Sequence, residues 1–521
     1  MHRRSLVWTL GIALAGSVLV TAQRAPTPAV HTTLIQHAFL IDGTGQAGRR
    51  ADVRIAGDRI LAVGALVPAA GEAMVDATGL ALAPGFIDTH SHHAGSLDAG
   101  RDAVALLSQG VTTIVSGQDG SGIDLAAMFA KLERTPVSVN VASDVGHGSV
   151  RSRVMGKDFA RAATPAEVAA MQKLVTVEMD AGALGLSSGL EYDPGIYSTP
   201  DEVLALAKVA GEAGGRYVSH IRSEDRWFWQ ALDEIITIGR VNKMPVQVSH
   251  IKLGMLDLWG QAEKAIGVLD RARASGVNVT ADIYPYTYWQ SNLGVLYPKR
   301  NFGDRAETEF VLAHVVPADG VIFNSFRGHP EYTGKTLAQI AVLRKTTHVQ
   351  TLIDLFAEPG GESAGIVARG MSDTDVARLA QWPMADVCSD GRSTGLHPRG
   401  FGSFPKVLGP YVRDKKLFAT EEAVRKMTSL AAANVGIANR GTVAPGMFAD
   451  LVLFDAATVA DRADFGHAQD QAVGIRMVWV NGQLVFRNGK TTGVFSGRPI
   501  RRGKKPVVEP PGLFTRMSAL Y

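Results

Sequence analysis

The chain has 521 residues, 46% of them hydrophobic and 20% charged, with a formal net charge of +3. That length exceeds one ordinary domain but suits a barrel with a satellite domain, with ample apolar material for a core. The near-balanced, scattered charge argues against a nucleic-acid partner, and a single cysteine, Cys388, excludes an intramolecular disulfide and any multi-cysteine metal site. The basic run Arg501-Arg502-Gly503-Lys504-Lys505 reads as a solvated tail.

Taken from the start, His2-Arg3-Arg4 precedes an apolar run from Leu6 to Val20 and then Thr21-Ala22. A basic start, a short apolar stretch and small residues before a cut predict an export signal over residues 1–22, leaving a periplasmic or secreted protein without stable membrane insertion. Residues 32–83 alternate in short runs punctuated by Gly43, Gly45, Gly57 and Gly64, the pattern of strands and tight turns. The same texture returns over 437–500, which predicts one small β-domain, a β-sandwich built from both segments. Between them, apolar strands at 86–90, 112–117, 138–142, 183–188, 217–220, 246–250, 277–283 and 385–388 alternate with helical stretches. Glu202 after Thr199 reads as a capping box at one helix start. Eight strand-then-helix units predict an α/β fold with a (β/α)₈ barrel over 84–436, interrupted by an insertion at about 290–349.

Barrels of this kind place their chemistry where strands end. Asp88, His90 and His92 are spaced by two, so an extended strand points all three to one face. Strand two ends Gln118-Asp119-Gly120, strand five Ser219-His220, strand six Ser249-His250-Ile251-Lys252, and strand eight Ser389-Asp390-Gly391. Neutral imidazole and carboxylate are good ligands for zinc and similar divalent ions. One His-x-His is weak, but four histidines and two aspartates at strand ends predict a metal site. Lys252, two residues from His250, points into the same mouth, and a cation there suits an anionic small-molecule substrate, as does the guanidinium of Arg399. His147 reads as a structural histidine as readily as a functional one, and Cys388 as a packed strand residue.

The chain resembles the amidohydrolase superfamily, and within it the N-acyl-D-amino-acid deacylases. The resemblance is carried by Pro84-Gly85-Phe86-Ile87-Asp88-Thr89-His90-Ser91-His92, Gly189-Leu190-Glu191-Tyr192-Asp193-Pro194-Gly195, Ser219-His220-Ile221-Arg222 and Ser249-His250-Ile251-Lys252. Tyr284-Pro285-Tyr286-Thr287, Ser389-Asp390-Gly391 and His397-Pro398-Arg399 extend it. It implies Zn²⁺ held tightly by His220 and His250, a second, weaker site held or framed by His90 and His92, and Asp390 as catalytic acid/base. It also implies Lys252, Tyr284 and Arg399 as a clamp on the substrate carboxylate, with Tyr192 lining the pocket.

One departure stands out. The family's usual Gly-Asn-Cys-Gly after strand two is here Gly117-Gln118-Asp119-Gly120. Asp119 still offers a carboxylate that bridges two ions as well as holding one, though it is a harder ligand than thiolate. The expected activity is hydrolysis of N-acyl-D-amino acids. Two alternatives stay open: a cyclic-amide hydrolase or dipeptidase, and an inactive metal- or ligand-binding protein. Many cyclic-amide enzymes use a carbamylated lysine at the end of strand four, where this chain has Ser187-Ser188-Gly189.

Overall fold

Eight short strands in a computed structural model form the barrel: Phe86–Asp88, Val111–Ser116, Asn140–Ser143, Gly185–Gly189, Arg216–His220, Val246–Val248, Val279–Ile283 and Ala385–Val387. The structure describes Met1 and residues 32–503. The export signal read from the sequence, apart from Met1, and Lys504 and Lys505 of the basic run lie outside the described residues.

Neighbouring strands pair in parallel, and Val145–Gly146, just after strand three, carries the pairing across to strand four. The ring closes between strands one and eight through a parallel bridge, Ser91 to Gly391. Asp390 N donates to His90 O at 2.8 Å and His92 N to Gly391 O at 3.0 Å. Asp88 completes the seam, accepting from Ser389 N at 2.8 Å and Ser389 Oγ at 2.6 Å. Its carboxylate therefore closes the barrel instead of joining His90 and His92.

Helices such as Pro165–Ala181, Pro200–Glu212, Phe228–Asn242 and Ala262–Ala274 cover the outside. Pro165–Ala181 opens on a full capping box, Thr164 with Glu167. The box expected at Thr199 is half formed. Thr199 accepts from Glu202 N at 3.2 Å, but the Glu202 carboxylate turns inward to Arg151 and to His147 Nε2, the latter at 2.9 Å. A buried guanidinium needs a counter-charge more than the cap needs a second bond. His147 is thereby a structural residue of that ion pair.

Both segments outside the barrel build one nine-stranded sheet. Leu451–Phe454 runs antiparallel to Ala81–Pro84 and joins the strands of 32–83 to Ile475–Val480 and Gln483–Arg487. The sheet folds over its own core of Ile35, Val53, Ile60, Leu453 and Trp479. A buried polar knot ties it to the barrel. Asp450 takes Arg440 Nη1, Asn481 N at 2.7 Å and Asn140 Nδ2 at 3.2 Å, while Asn481 Nδ2 reaches Asn140 Oδ1 at 2.8 Å. The basic run adds another tie: Arg502 donates to the carbonyls of Met179, Ala183 and Ala213 at 2.8, 3.1 and 2.6 Å, so it is a barrel contact and not a free tail.

After strand seven the chain leaves the barrel to form an antiparallel sheet of Tyr288–Asn292, Gly365–Arg369 and Val321–Ser325. This excursion runs past residue 349 to Arg369, because its central strand is contributed last. Among the described residues no helix is long and apolar enough to cross a membrane.

Candidate metal centre

Three side chains at the barrel mouth sit on backbone that only a rigid surrounding keeps. Asp119, His250 and Asp390 have φ of 54°, 33° and 49°, the left-handed region, at a cost on the order of 1–3 kcal/mol each. Their neighbours pin them. His250 N donates to Asp282 Oδ1 at 2.6 Å, Gly120 N to Ser187 Oγ at 3.2 Å, and Asp390 N to His90 O.

The result is two groups of potential ligands sharing Asp119. The first is His90, His92, Asp119 and Asp390; the second is Asp119, His220 and His250. His92 Nε2 lies 3.2 Å from Asp119 Oδ2 and 3.3 Å from Asp390 Oδ1. His90 Nε2 lies 3.4 Å from Asp119 Oδ1, which is also 3.3 Å from His250 Nε2. His220 Nδ1 faces His250 Nε2 at 3.2 Å. Asp119 thus stands between the two groups, its Oδ1 facing His90 of the first and His250 of the second and its Oδ2 facing His92. Both ring nitrogens of His90 are buried and lack a hydrogen-bond partner among the described residues, as a ligand nitrogen does without its ion. The donor set, imidazole with carboxylate, fits a borderline divalent metal such as zinc.

The residues expected at the substrate end gather beside these groups, but the two cations are already engaged. Lys252 Nζ lies 2.5 Å from Glu224 Oε1 and 2.6 Å from His250 Nδ1. Arg399 Nη1 donates to Asp390 Oδ2 at 2.5 Å. Tyr284 lies between them, with Arg399 Cζ 4.8 Å and Lys252 Nζ 5.8 Å from its ring centre, and its buried hydroxyl has no partner among the described residues. Tyr192 packs on His220 with ring centres 4.4 Å apart and its hydroxyl 3.1 Å from Nδ1. The mouth opens into a cleft of 450 Å³ lined by His92, Asp119, Tyr192, Asn324, Arg392 and Arg399. An adjoining apolar corner is formed by Trp289, Val295, Leu296 and Val315. A groove of 520 Å³ lies elsewhere, on the outer helices around Trp227, away from every strand-end ligand.

The electrostatics favour charged carboxylates. Burial pushes Asp390 up, but Arg399 and then His250 and His92 outweigh it and hold the carboxyl well below its ordinary range. Burial acts the same way on Asp119 and is overcome by His90, His250 and His92. Burial also pushes the thiol of Cys388 well up, so it is a packed residue and no nucleophile. The His397-Pro398-Arg399 motif has a local logic. His397 Nδ1 accepts from Arg399 N at 3.2 Å and Nε2 donates to Tyr288 O at 2.9 Å, which aims Arg399 at Asp390.

Two residues escaped the sequence reading. Glu191 Oε2 lies 3.0 Å from His220 Nε2, and Glu224 Oε1 lies 3.1 Å from His250 Nδ1. Glu191 precedes Tyr192 and Glu224 follows His220 by four, but neither lies at a strand end, so spacing gave no signal.

Comparison with known proteins agrees with this geometry. The sequence profile of the amidohydrolase family matches residues 73–297 and 362–486. The chain is 36% identical over 497 residues to the D-aminoacylase of Alcaligenes xylosoxydans xylosoxydans, covering 90% of this chain and 97% of that one. A D-aminoacylase structure described for its binuclear metal centre, with one-metal activation and second-metal attenuation, superimposes with TM-score 0.82 at 35% identity, covering 90% and 99%. The N-acyl-D-glutamate deacylase of Bordetella bronchiseptica, solved with zinc and a phosphonate mimic of the tetrahedral intermediate, gives TM-score 0.82 at 34% identity, covering 91% and 99%. The chain therefore belongs to the amidohydrolase family, among its D-aminoacylase-type members.

Proposed function

We propose that the protein hydrolyses the amide bond of N-acyl-D-amino acids, releasing a carboxylic acid and a D-amino acid, with zinc held by His220, His250 and Asp119 and a second ion by His90, His92 and the same Asp119. The observation that carries this reading is the convergence of both ligand groups on Asp119, with Asp390 against one of them and two cations alongside. Similarity along nearly the whole chain to D-aminoacylase supports it. When bound, the metal polarises the amide carbonyl and lowers the pKa of water.

The remaining steps belong to the chain's own groups. Asp390, kept ionised by Arg399, takes the proton of the attacking water and returns it to the departing amine, the usual sequence for a general base that becomes the acid. Lys252, Tyr284 and Arg399 receive the substrate carboxylate, and Tyr192 closes the pocket over His220. Because Lys252 and Arg399 are each paired already, the carboxylate joins an existing network instead of meeting free charge. Exchange of Asp390 for Asn keeps the shape but removes the base, with an expected loss of about 10²–10⁴ in kcat while the tight zinc at His220 and His250 is retained, read by steady-state rates and elemental analysis. The basic, apolar and small residues over 1–22 support export of the protein.

The test is a panel of N-acetyl-D- and N-acetyl-L-amino acids with small cyclic amides, run with zinc and after chelation. Turnover of the linear D-substrates that disappears on chelation and returns with zinc is expected. Full activity after thorough chelation overturns the metal role, and exclusive turnover of cyclic amides overturns the substrate class.

A further inference from the structure

Behind the metal-facing sides of His220 and His250 lies a pair of carboxylates that nothing in the reaction above uses. His220 Nε2 ends on Glu191 Oε2 at 3.0 Å, with Glu224 Oε2 at 3.7 Å. His250 Nδ1 ends on Glu224 Oε1 at 3.1 Å. Glu191 Oε1 accepts from Glu224 N at 2.6 Å, so the first carboxylate holds the second in place.

A neutral imidazole has one N–H and one lone pair, and a carboxylate only accepts. Glu191 therefore draws the N–H of His220 to the outer nitrogen and leaves its lone pair pointing inward. At His250 the outer Nδ1 also lies 2.6 Å from the Lys252 ammonium, and Glu224, by taking that ammonium at 2.5 Å, competes for its protons and offers Nδ1 an acceptor for its own N–H. The inward nitrogens face each other at 3.2 Å, with Asp119 Oδ1 3.3 Å from one of them. Acceptors crowded in this way repel one another until a cation sits among them. We propose that Glu224, supported by Glu191, is a positioning residue that sets the tautomers of His220 and His250 and so gives the pair its affinity for the metal. This rests on the metal reading of the preceding subsection.

The same carboxylates also come close enough to His220 to hold an ion themselves. Their bonds argue otherwise. Glu224 is already paired with Lys252 at 2.5 Å, a cation that repels a second one, and Glu191 spends an oxygen on the Glu224 backbone.

The experiment uses metal-free full-length protein and zinc alone, with dissociation constants from competition against a chromophoric chelator. Wild type is compared with E224Q, E224D and E191Q, with thermal melts to report the fold. Glutamine offers an amide donor where the imidazole needs an acceptor, so E224Q should bind the tight zinc about 10–100-fold more weakly. E224D, which keeps the charge, should fall between E224Q and wild type, and E191Q should lose less than E224Q. Zinc content at saturation should not change, and excess zinc should restore much of the activity. Wild-type affinity in folded E224Q overturns the proposal, as does loss of one ion at saturation with the others bound as before. Should E224Q not fold, wild-type affinity in both E224D and E191Q overturns it equally. If wild type itself binds no zinc, the metal reading falls as well; if wild type binds and the variants match it, only this inference falls.

Discussion

Asp119 is the residue common to both groups of potential ligands. Its Oδ1 lies between His90 of one group and His250 of the other, and its Oδ2 faces His92, so one side chain serves both groups. Exchange of Asp119 for Ala is expected to lower zinc at both sites, seen as less than half the wild-type metal by elemental analysis after dialysis. Exchange for Cys should keep the tight ion and shift preference toward softer metals, measured by competition between zinc and manganese. The histidines and aspartates were legible because each sits at the end of a strand with its own apolar pattern. Glu191 and Glu224 were not, since they act from loops whose path depends on tertiary packing. Asp88 shows the opposite error: alternate spacing grouped it with His90 and His92, yet the seam with Ser389 claims its carboxylate.

Two elements hold the mouth of the barrel in shape. The loop from Asp390 to Arg399 is fixed at its start by His90 and, further along, by the insertion, where Asn324 Oδ1 accepts from Leu396 N at 2.8 Å and Tyr288 O accepts from His397. Removing one such bond is worth about 1 kcal/mol. Asn324→Ala should therefore lower kcat/KM roughly 5–10-fold while leaving zinc content unchanged. The sequence announced the insertion but placed its end too early, because a strand that pairs across 77 residues, the separation of Gln290 and Val367, leaves no local mark.

On the opposite side, helix Thr420–Met427 docks beneath strand eight through Lys426, whose buried Nζ donates to Trp382 O at 2.6 Å and Ala385 O at 2.9 Å. Burial depresses this lysine to about 8. Between that value and the ordinary 10.5 the unfolded chain holds the extra proton, so stability from this group rises with pH across 8–10.5 and is lowest below 8. Wild type should gain on Lys426→Met by up to about 3 kcal/mol over that window, measured as the difference in urea midpoints.

At the scale of the molecule, the sheet and the barrel are held as one unit by the knot around Asp450. Removing that carboxylate strands the buried guanidinium of Arg440 and frees Asn140 and Asn481. Asp450→Ala should cost about 3–5 kcal/mol, lowering the melting temperature of sheet and barrel together in calorimetry. The alternating strands and their count made the architecture readable. The polar knot was not, because its four members are scattered from 140 to 481 and share no motif.

The pairing of Ala81–Pro84 with Leu451–Phe454 also sets a timetable. A ribosome delivers the amino-terminal strands first, at roughly 5–20 residues per second; they pair among themselves, but the outer edge of Ala81–Pro84 has no partner until some 370 residues later. Strand eight, which closes the barrel, arrives only about 65 residues before that edge. The ring waits for strand eight at Ala385–Val387, and the sheet cannot be completed until Leu451–Phe454, within the last fifth of the chain, has emerged. Unpaired edges therefore persist for much of synthesis, and the nascent protein depends on being shielded until its final strands emerge.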